Sequence, residues 1–186
     1  MERLFIGIPV YDLFKNEIEV FYQTYQKLDP RWKWIHLQNA HITLHFFGNF
    51  PVEKKAWLIN IFQQILKDAL YFEISLSGLG SFKDSKNNGV KVVWLDVHSS
   101  CLKKLLDLHT LIMQGLNNAG FNLGFSIYRP HVTLFRLNRD MAQTFDSKRL
   151  HFPQTLPRRM SEMVLYKSHL TEMGAIYSRE SVFFLK

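Results

Sequence analysis

Two short stretches of the sequence share one pattern: HITLHFFG at 41–48 and HVTLFRL at 131–137. Each begins with histidine, an apolar residue, threonine and leucine. In a chain of 186 residues with 8 histidines, two such matches would arise by chance in about one sequence in a thousand. Alternating polar and apolar residues predict that each stretch is a strand. The repeat suggests two similar lobes that face each other.

The histidine and threonine of each motif lie two residues apart, and such side chains share one face of a strand. His41 and Thr43 therefore point together away from the core, as do His131 and Thr133. If the two faces meet, two imidazoles and two hydroxyls converge on one cleft.

This set of groups is suited to a phosphodiester. One histidine can take a proton from water while the other gives a proton to the departing oxygen. The hydroxyls can donate hydrogen bonds to the nonbridging oxygens. The chemistry requires no metal or other cofactor. At working pH one imidazole must be neutral and the other protonated.

The composition is that of an ordinary globular protein, with 47% hydrophobic and 21% charged residues, so we expect one domain covering 1–186. The net charge of +7 favours anionic partners such as RNA ends or a nucleotide substrate. Cys101, the only cysteine, allows no intrachain disulfide or thiolate zinc site. Without a signal-peptide pattern or a membrane-spanning apolar run, we expect a cytoplasmic protein. No membrane contact and no obligate protein partner are inferred.

Apolar spacings of three and four residues predict helices at about 14–28, 51–69 and 102–119. Stretches rich in β-branched and aromatic residues predict seven strands. These strands cover 3–10, 40–48, 71–82, 89–98, 129–137, 161–170 and 176–185. KDSKNNG at 83–89 predicts a turn or loop. This order describes an α+β protein with mostly antiparallel sheet.

The motifs resemble those of the two-histidine phosphoesterases, specifically the bacterial and archaeal RNA 2′,3′-cyclic phosphodiesterases once described as 2′-5′ RNA ligases. The likeness covers nearly the whole chain. RLFIGIPV at 3–10 resembles the family's opening strand, and FEISLSGLGSF at 72–82 resembles its strand ending in a Gly-x-Gly-x-Phe turn. VVWLDV at 92–97 and LYKSHLTEMGAIY at 165–177 also match in order and spacing.

The resemblance implies a bilobal fold in which two mostly antiparallel sheets with pseudo-twofold symmetry surround a central cleft, with helices outside. It also implies hydrolysis of RNA or nucleoside 2′,3′-cyclic phosphates to 2′-phosphates. By position in the motifs, His41 would be the general acid toward the 3′ oxygen, and His131 the general base toward water. Thr43 and Thr133 would bind the phosphate.

Three further residues are candidates for substrate binding. Arg136 matches the family's arginine after the second motif, but its odd offset from His131 turns it away unless the strand ends or bulges there. Arg129 is either a cleft residue or a solvated one. Phe47 lies an even number of residues from His41, which would place both on the same face of the strand. Its ring either stacks on a nucleobase or packs in the core.

Two other positions bear on the site. His45 shares the face of His41 by parity, but the two lie too far apart along a strand to bind one metal ion. In the late strand, Lys167 stands where the family usually has an acidic residue, which adds positive charge. No metal ligand is assigned.

Two other functions remain open. The same site could act on another phosphodiester, such as 2′-5′-linked oligonucleotides. The chain could instead be a nucleotide-binding module that senses AMP-like ligands without turnover, although binding alone does not need two proton-transfer groups. The motifs favour neither alternative. They favour the function given above, that of a metal-independent RNA 2′,3′-cyclic 3′-phosphodiesterase, which is a hydrolase.

Overall fold

The computed structural model describes residues 1–84, 88–124, 127–142, 144–172 and 174–186, and for Arg139 the backbone alone. Residues 85–87 of the predicted turn lie outside the described residues. The helices are α1 Lys15–Tyr25, α2 Lys55–Leu66, α3 Ser99–Asn118 and α4 Arg139–Ala142. The strands are β1 Glu2–Pro9, β2 Lys33–Trp34, β3 His41–Phe50, β4 Phe72–Ile74, β5 Leu76–Lys83, β6 Val90–Val97, β7 His131–Arg136, β8 Arg158–Met160, β9 Glu162–Thr171 and β10 Gly174–Phe184.

Most of the strands belong to one antiparallel sheet. Its order is β10-β9-β1-β3-β7-β6-β5, with β2 also beside β7. The strands β4 and β8 form a separate antiparallel pair. The predicted mixture of helices and mostly antiparallel sheet is therefore confirmed.

The large sheet has two halves, which meet at β3 and β7. Across the described part of the chain, these strands share one residue pair in register, Ile42 with Val132. Farther along, the same edge of β7 is taken by β2, where Lys33 lies opposite Arg136. The strands β3 and β7 therefore diverge after a single pair and leave a cleft between the halves. The two predicted sheets are these halves, and their predicted twofold symmetry stays a prediction.

Three helices cover one face of the sheet and form the main core with it. Its fully buried members include Phe14, which precedes α1, then Ile18, Leu58, Phe62, Leu105 and Ile112 from the helices and Leu4, Ile6, Ile42 and Val132 from the strands. Each such side chain contributes about 1.5–3 kcal/mol when it is buried. A small second cluster of Phe5, Val164 and Tyr166 lies on the opposite face, because residues alternate along β1 and β9.

The observed elements differ from the predicted ones in three respects. The helix α1 is shorter than the predicted range 14–28. The predicted strand 71–82 divides at Ser75, which is buried, so that β4 pairs with β8 while β5 pairs with β6. The elements β2, α4 and β8 are too short to produce a periodic pattern in the sequence. None of the helices within the described ranges has the length and hydrophobicity needed to cross a membrane.

The fully buried indole of Trp94 lies against Gly80 of the neighbouring strand. A Cβ atom at position 80 would lie 2.1 Å from the Trp94 ring. We therefore expect Gly80→Ala to lower the free energy of unfolding by about 1–3 kcal/mol, the usual cost of overpacking. Gly124→Ala is the control, because a Cβ atom there would meet nothing within 4 Å. Urea denaturation measures both variants, and equal stabilities would contradict this packing argument.

Candidate active site

His41 and His131 are neighbours across the junction of the two halves. Each is the first residue of its strand, and the pairing of Ile42 with Val132 places each histidine opposite the threonine of the other motif. Both paired residues are fully buried, so the histidines and threonines lie together on the other face, toward the cleft. Burial lowers the pKa of His41, and the charge of His131 adds to this effect. The structure thus brings the two predicted catalytic residues together.

His41 is held by two hydrogen bonds within an aromatic cage. Its Nδ1 donates to the main-chain carbonyl of Asn39 at 2.5 Å, and its Nε2 accepts from the hydroxyl of Thr43 at 3.0 Å. A carbonyl oxygen can only accept, so Nδ1 carries the proton of the neutral ring. The rings of Phe5, Tyr177 and Tyr166 lie at centroid distances of 4.8, 5.3 and 6.0 Å. Burial lowers the pKa of His41 to about 4.

His131 has the same backbone anchor in a more charged environment. Its Nδ1 donates to the main-chain carbonyl of Arg129 at 2.8 Å, which again leaves Nε2 as the basic nitrogen. The nearest rings are those of Phe82 and Trp94, at centroid distances of 4.8 and 5.6 Å. Burial lowers the pKa of His131, and the positive charges of Arg136 and Arg129 lower it further. The environment therefore favours a neutral imidazole at this position.

Arg136 lies on the cleft face because β7 contains a bulge. The register between β6 and β7 shifts at Trp94, with Leu134 as the extra residue, so the alternation of faces moves by one position. Burial lowers the pKa of His131 and raises that of Tyr177, and the charge of Arg136 acts to lower both. The charge of Arg136 therefore acts on groups in both halves of the site.

A second bulge, in β3, moves Phe47 away from the cleft. The register between β1 and β3 shifts between Ile6 and Gly7, with Leu44 as the extra residue. The prediction that Phe47 shares the face of His41 is therefore wrong. Its ring packs instead against core rings, those of Phe50, Phe62 and Phe121.

The same bulge separates His45 from His41. The His45 ring lies 4.8 Å from that of Phe47, on the side of the strand that packs against the helices. Within the described ranges, no three His, Cys, Asp or Glu side chains form a group that could hold a metal ion. His45 is therefore not a member of the candidate site.

Arg129 and Lys167 lie on opposite faces of the sheet. The guanidinium of Arg129 lies 4.5 Å above the Trp94 ring and 4.0 Å from Asp96, beside His131. Its role in substrate binding stays a prediction. Lys167 pairs opposite the buried Leu4 and donates a hydrogen bond to Glu2 at 2.7 Å. The positive charge expected from Lys167 is therefore offset by a carboxylate on the face that packs against the helices.

Several residues around the histidines are not identified by the sequence patterns. They are Phe5, Phe82, Trp94 and Tyr177, whose rings contact the two imidazoles, together with Arg3. Arg3 lies 4.7 Å above the half-exposed ring of Phe46, and its charge opposes the increase in the pKa of Tyr177 that burial causes. Alternation along each strand indicates the face of such a residue. It does not indicate which strand lies next to it.

The low pKa of His41 predicts a dependence of stability on pH. The folded-state pKa of about 4 lies below the ordinary value of 6.5, so between these pH values the unfolded chain binds a proton that the folded chain does not. The free energy of unfolding should therefore fall as the pH falls from 6.5 to 4, by up to about 3 kcal/mol from this group. Urea denaturation over this range should show a weaker dependence in His41→Gln. The exposed His151 provides the control variant His151→Gln, and an unchanged slope in His41→Gln would contradict the assignment.

The chain is similar to known proteins along most of its length. The model of the 2′-5′ RNA ligase superfamily matches residues 14–172. Two relatives are named RNA 2′,3′-cyclic phosphodiesterase. The one from Methanothermobacter thermautotrophicus is 29% identical over 97% of this chain and 97% of its own length. The one from Methanocaldococcus jannaschii is 27% identical over 94% of this chain and 96% of its own length. The structure of E. coli LigT complexed with 3′-AMP matches with a TM-score of 0.77 and 21% identity, over 99% of this chain and 98% of that chain. The chain belongs to the 2′-5′ RNA ligase superfamily of two-histidine phosphoesterases.

Proposed function

We propose that this protein hydrolyses 2′,3′-cyclic phosphates at RNA ends, without a metal ion, to give a 2′-phosphate and a free 3′ hydroxyl. The observation that carries this proposal is the pair of imidazoles, each with Nδ1 bound to a main-chain carbonyl, on either side of one strand junction. Relatives named RNA 2′,3′-cyclic phosphodiesterase, at 24–29% identity, support an RNA substrate. E. coli LigT, which has the same fold, has been solved with 3′-AMP and with ATP, which supports a nucleotide ligand.

His131 acts as the general base in this mechanism. Because its Nδ1 proton is bound to the carbonyl of Arg129, Nε2 carries the lone pair. Among the described residues, Nε2 of His131 has no hydrogen-bond partner within the protein, so it is available to a water molecule. Nε2 removes a proton from this water while the water oxygen forms a bond to phosphorus.

His41 acts as the general acid. Its protonated Nε2 gives a proton to the 3′ oxygen as the bond between that oxygen and phosphorus breaks. A pKa of about 4 is too low for this task near neutral pH. The negative charge of a bound phosphodiester beside the imidazolium raises the pKa, because it stabilises the charged form of the ring. Afterwards His131 releases one proton to solvent and His41 takes one proton from solvent, which restores both residues.

Three side chains stabilise the charge that develops on the phosphate oxygens. The hydroxyls of Thr43 and Thr133 lie on the face of the histidines and donate to the nonbridging oxygens. Thr43 is free to do so when Nε2 of His41 is protonated and no longer accepts from its hydroxyl. Arg136, which β7 turns to the same face, supplies a planar cation that can donate two parallel hydrogen bonds to these oxygens. All of these donors are held on strands, so little reorganisation is needed when the charge develops.

Removal of either histidine should abolish most of the activity. In buffer with EDTA, the purified protein should convert RNA with a 2′,3′-cyclic phosphate to the 2′-phosphate, as followed by phosphorus NMR. His41→Ala and His131→Ala should each lower kcat about 10²- to 10⁴-fold, which is the usual contribution of a general acid or base. His151→Ala is the control at an exposed histidine. Loss of wild-type activity in EDTA, or full activity in either active-site variant, would contradict the proposal.

The pH dependence should differ between the free and the bound enzyme. The pH profile of kcat/KM reports the ionisations of the free enzyme, and that of kcat reports those of the complex. Since the phosphodiester raises the pKa of His41 from about 4, the pH optimum of kcat should lie at higher pH than that of kcat/KM. Coincident optima would contradict the role of His41 as the acid.

A further inference from the structure

Two cationic side chains lie opposite each other where β2 pairs with β7. Lys33 of β2 is the direct partner of Arg136 of β7, and both side chains are exposed. Direct partners in an antiparallel pair project to the same face. Because the bulge at Leu134 turns Arg136 toward the cleft, Lys33 projects toward the cleft as well.

This arrangement is unfavourable for the protein alone. Cβ atoms of direct cross-strand partners lie about 5 Å apart, and like charges at that distance repel. Among the residues that the structure describes, no carboxylate forms an ion pair with Lys33 or Arg136. Some lysines elsewhere on this sheet and its covering helices do have partners, such as Lys55 with Glu2 at 2.9 Å and Lys167 with Glu2 at 2.7 Å. A bound phosphate would relieve the repulsion between the two cations.

Lys33 lies well away from the histidines along the sheet. Its partner Arg136 is five residues from His131 on β7, which corresponds to about 15 Å between Cα atoms along a strand. Arg136 acts on His131 electrostatically, and Lys33 projects from β2, which takes the place of β3 beside β7 at this distance from the histidines. The pair therefore spans from the reacting phosphate to a second position outside it.

We propose that Lys33, next to Arg136, binds the phosphate on the 5′ side of the terminal nucleoside of the substrate. This inference rests on the proposed function. In an RNA strand that ends in a 2′,3′-cyclic phosphate, the nearest other phosphate is the one on the 5′ oxygen of the last nucleoside. A nucleoside 2′,3′-cyclic phosphate lacks it. The protein therefore selects the end of an RNA strand, or a 5′-phosphorylated nucleotide, over a simple cyclic nucleotide.

Three substrates test this selection: adenosine 2′,3′-cyclic phosphate, its 5′-phosphorylated form, and the dinucleotide ApA with a terminal 2′,3′-cyclic phosphate. We expect Lys33→Gln to lower kcat/KM about tenfold for the 5′-phosphorylated form and for the dinucleotide, relative to kcat/KM for adenosine 2′,3′-cyclic phosphate. The loss should appear in KM rather than in kcat, because the contact is the same in the ground and transition states. Lys103→Gln is the matched control, since Lys103 is exposed on α3 and paired with Asp107 at 2.8 Å.

The outcomes separate the two proposals. Equal loss on all three substrates, no loss, or loss on the dinucleotide alone would overturn the phosphate contact while leaving the proposed function in place. If the wild-type protein opens none of the substrates, the proposed function fails. In that case the contact of Lys33 with a phosphate is tested by binding. Fluorescence anisotropy measures the affinity for an RNA oligomer that carries a 3′-phosphate at several salt concentrations. Lys33→Gln should reduce the slope of log affinity against log salt concentration by about 0.7, and an unchanged slope would overturn the contact.

Discussion

The geometry of the active site depends on one buried pair of residues, Ile42 of β3 and Val132 of β7. This pair joins the two halves of the sheet, and both side chains are fully buried against the core. A shift of register by one residue would turn the side chains of a strand over, so burial of this pair also fixes both histidines toward the cleft. Tyr128 reinforces the junction, because its hydroxyl donates to the main-chain carbonyl of Thr43 at 3.1 Å. The Tyr128 ring is itself stacked on His109 of α3 at 3.8 Å.

The two histidines have the same anchor but different surroundings. In each, Nδ1 donates to the carbonyl two residues earlier, which fixes the tautomer and directs Nε2 to the chemistry. Burial lowers the pKa of both imidazoles, and the positive charges of Arg136 and Arg129 lower that of His131 further. A neutral His131 suits a base, and an enclosed His41 responds strongly to the charge of a bound phosphate, because charges interact more strongly where water is excluded. The surroundings thus favour different roles for two residues of identical chemistry.

Two bulges decide which other residues reach the cleft. Both occur at the leucine of the repeated motif, Leu44 in β3 and Leu134 in β7. Strict alternation predicted Phe47 in the cleft and Arg136 outside it unless the strand bulged. The bulges reverse both positions, because one extra residue exchanges the faces of the residues after it, in β3 as far as the next register shift at Phe47. A bulge has no reliable signal in a single sequence, since it depends on how the neighbouring strand pairs.

The sequence by itself predicted the candidate catalytic residues and determined the class of fold. The repeated motif identified His41, Thr43, His131 and Thr133, and the periodic patterns identified the main helices and most of the strands, because these signals depend only on nearby residues. Only the tertiary structure decided which strands are neighbours, and hence that Phe5 and Tyr177 enclose His41 and that Lys33 lies beside Arg136. Strand order and register arise from burial of the whole core and from pairing between distant segments. No local pattern in the chain contains that information.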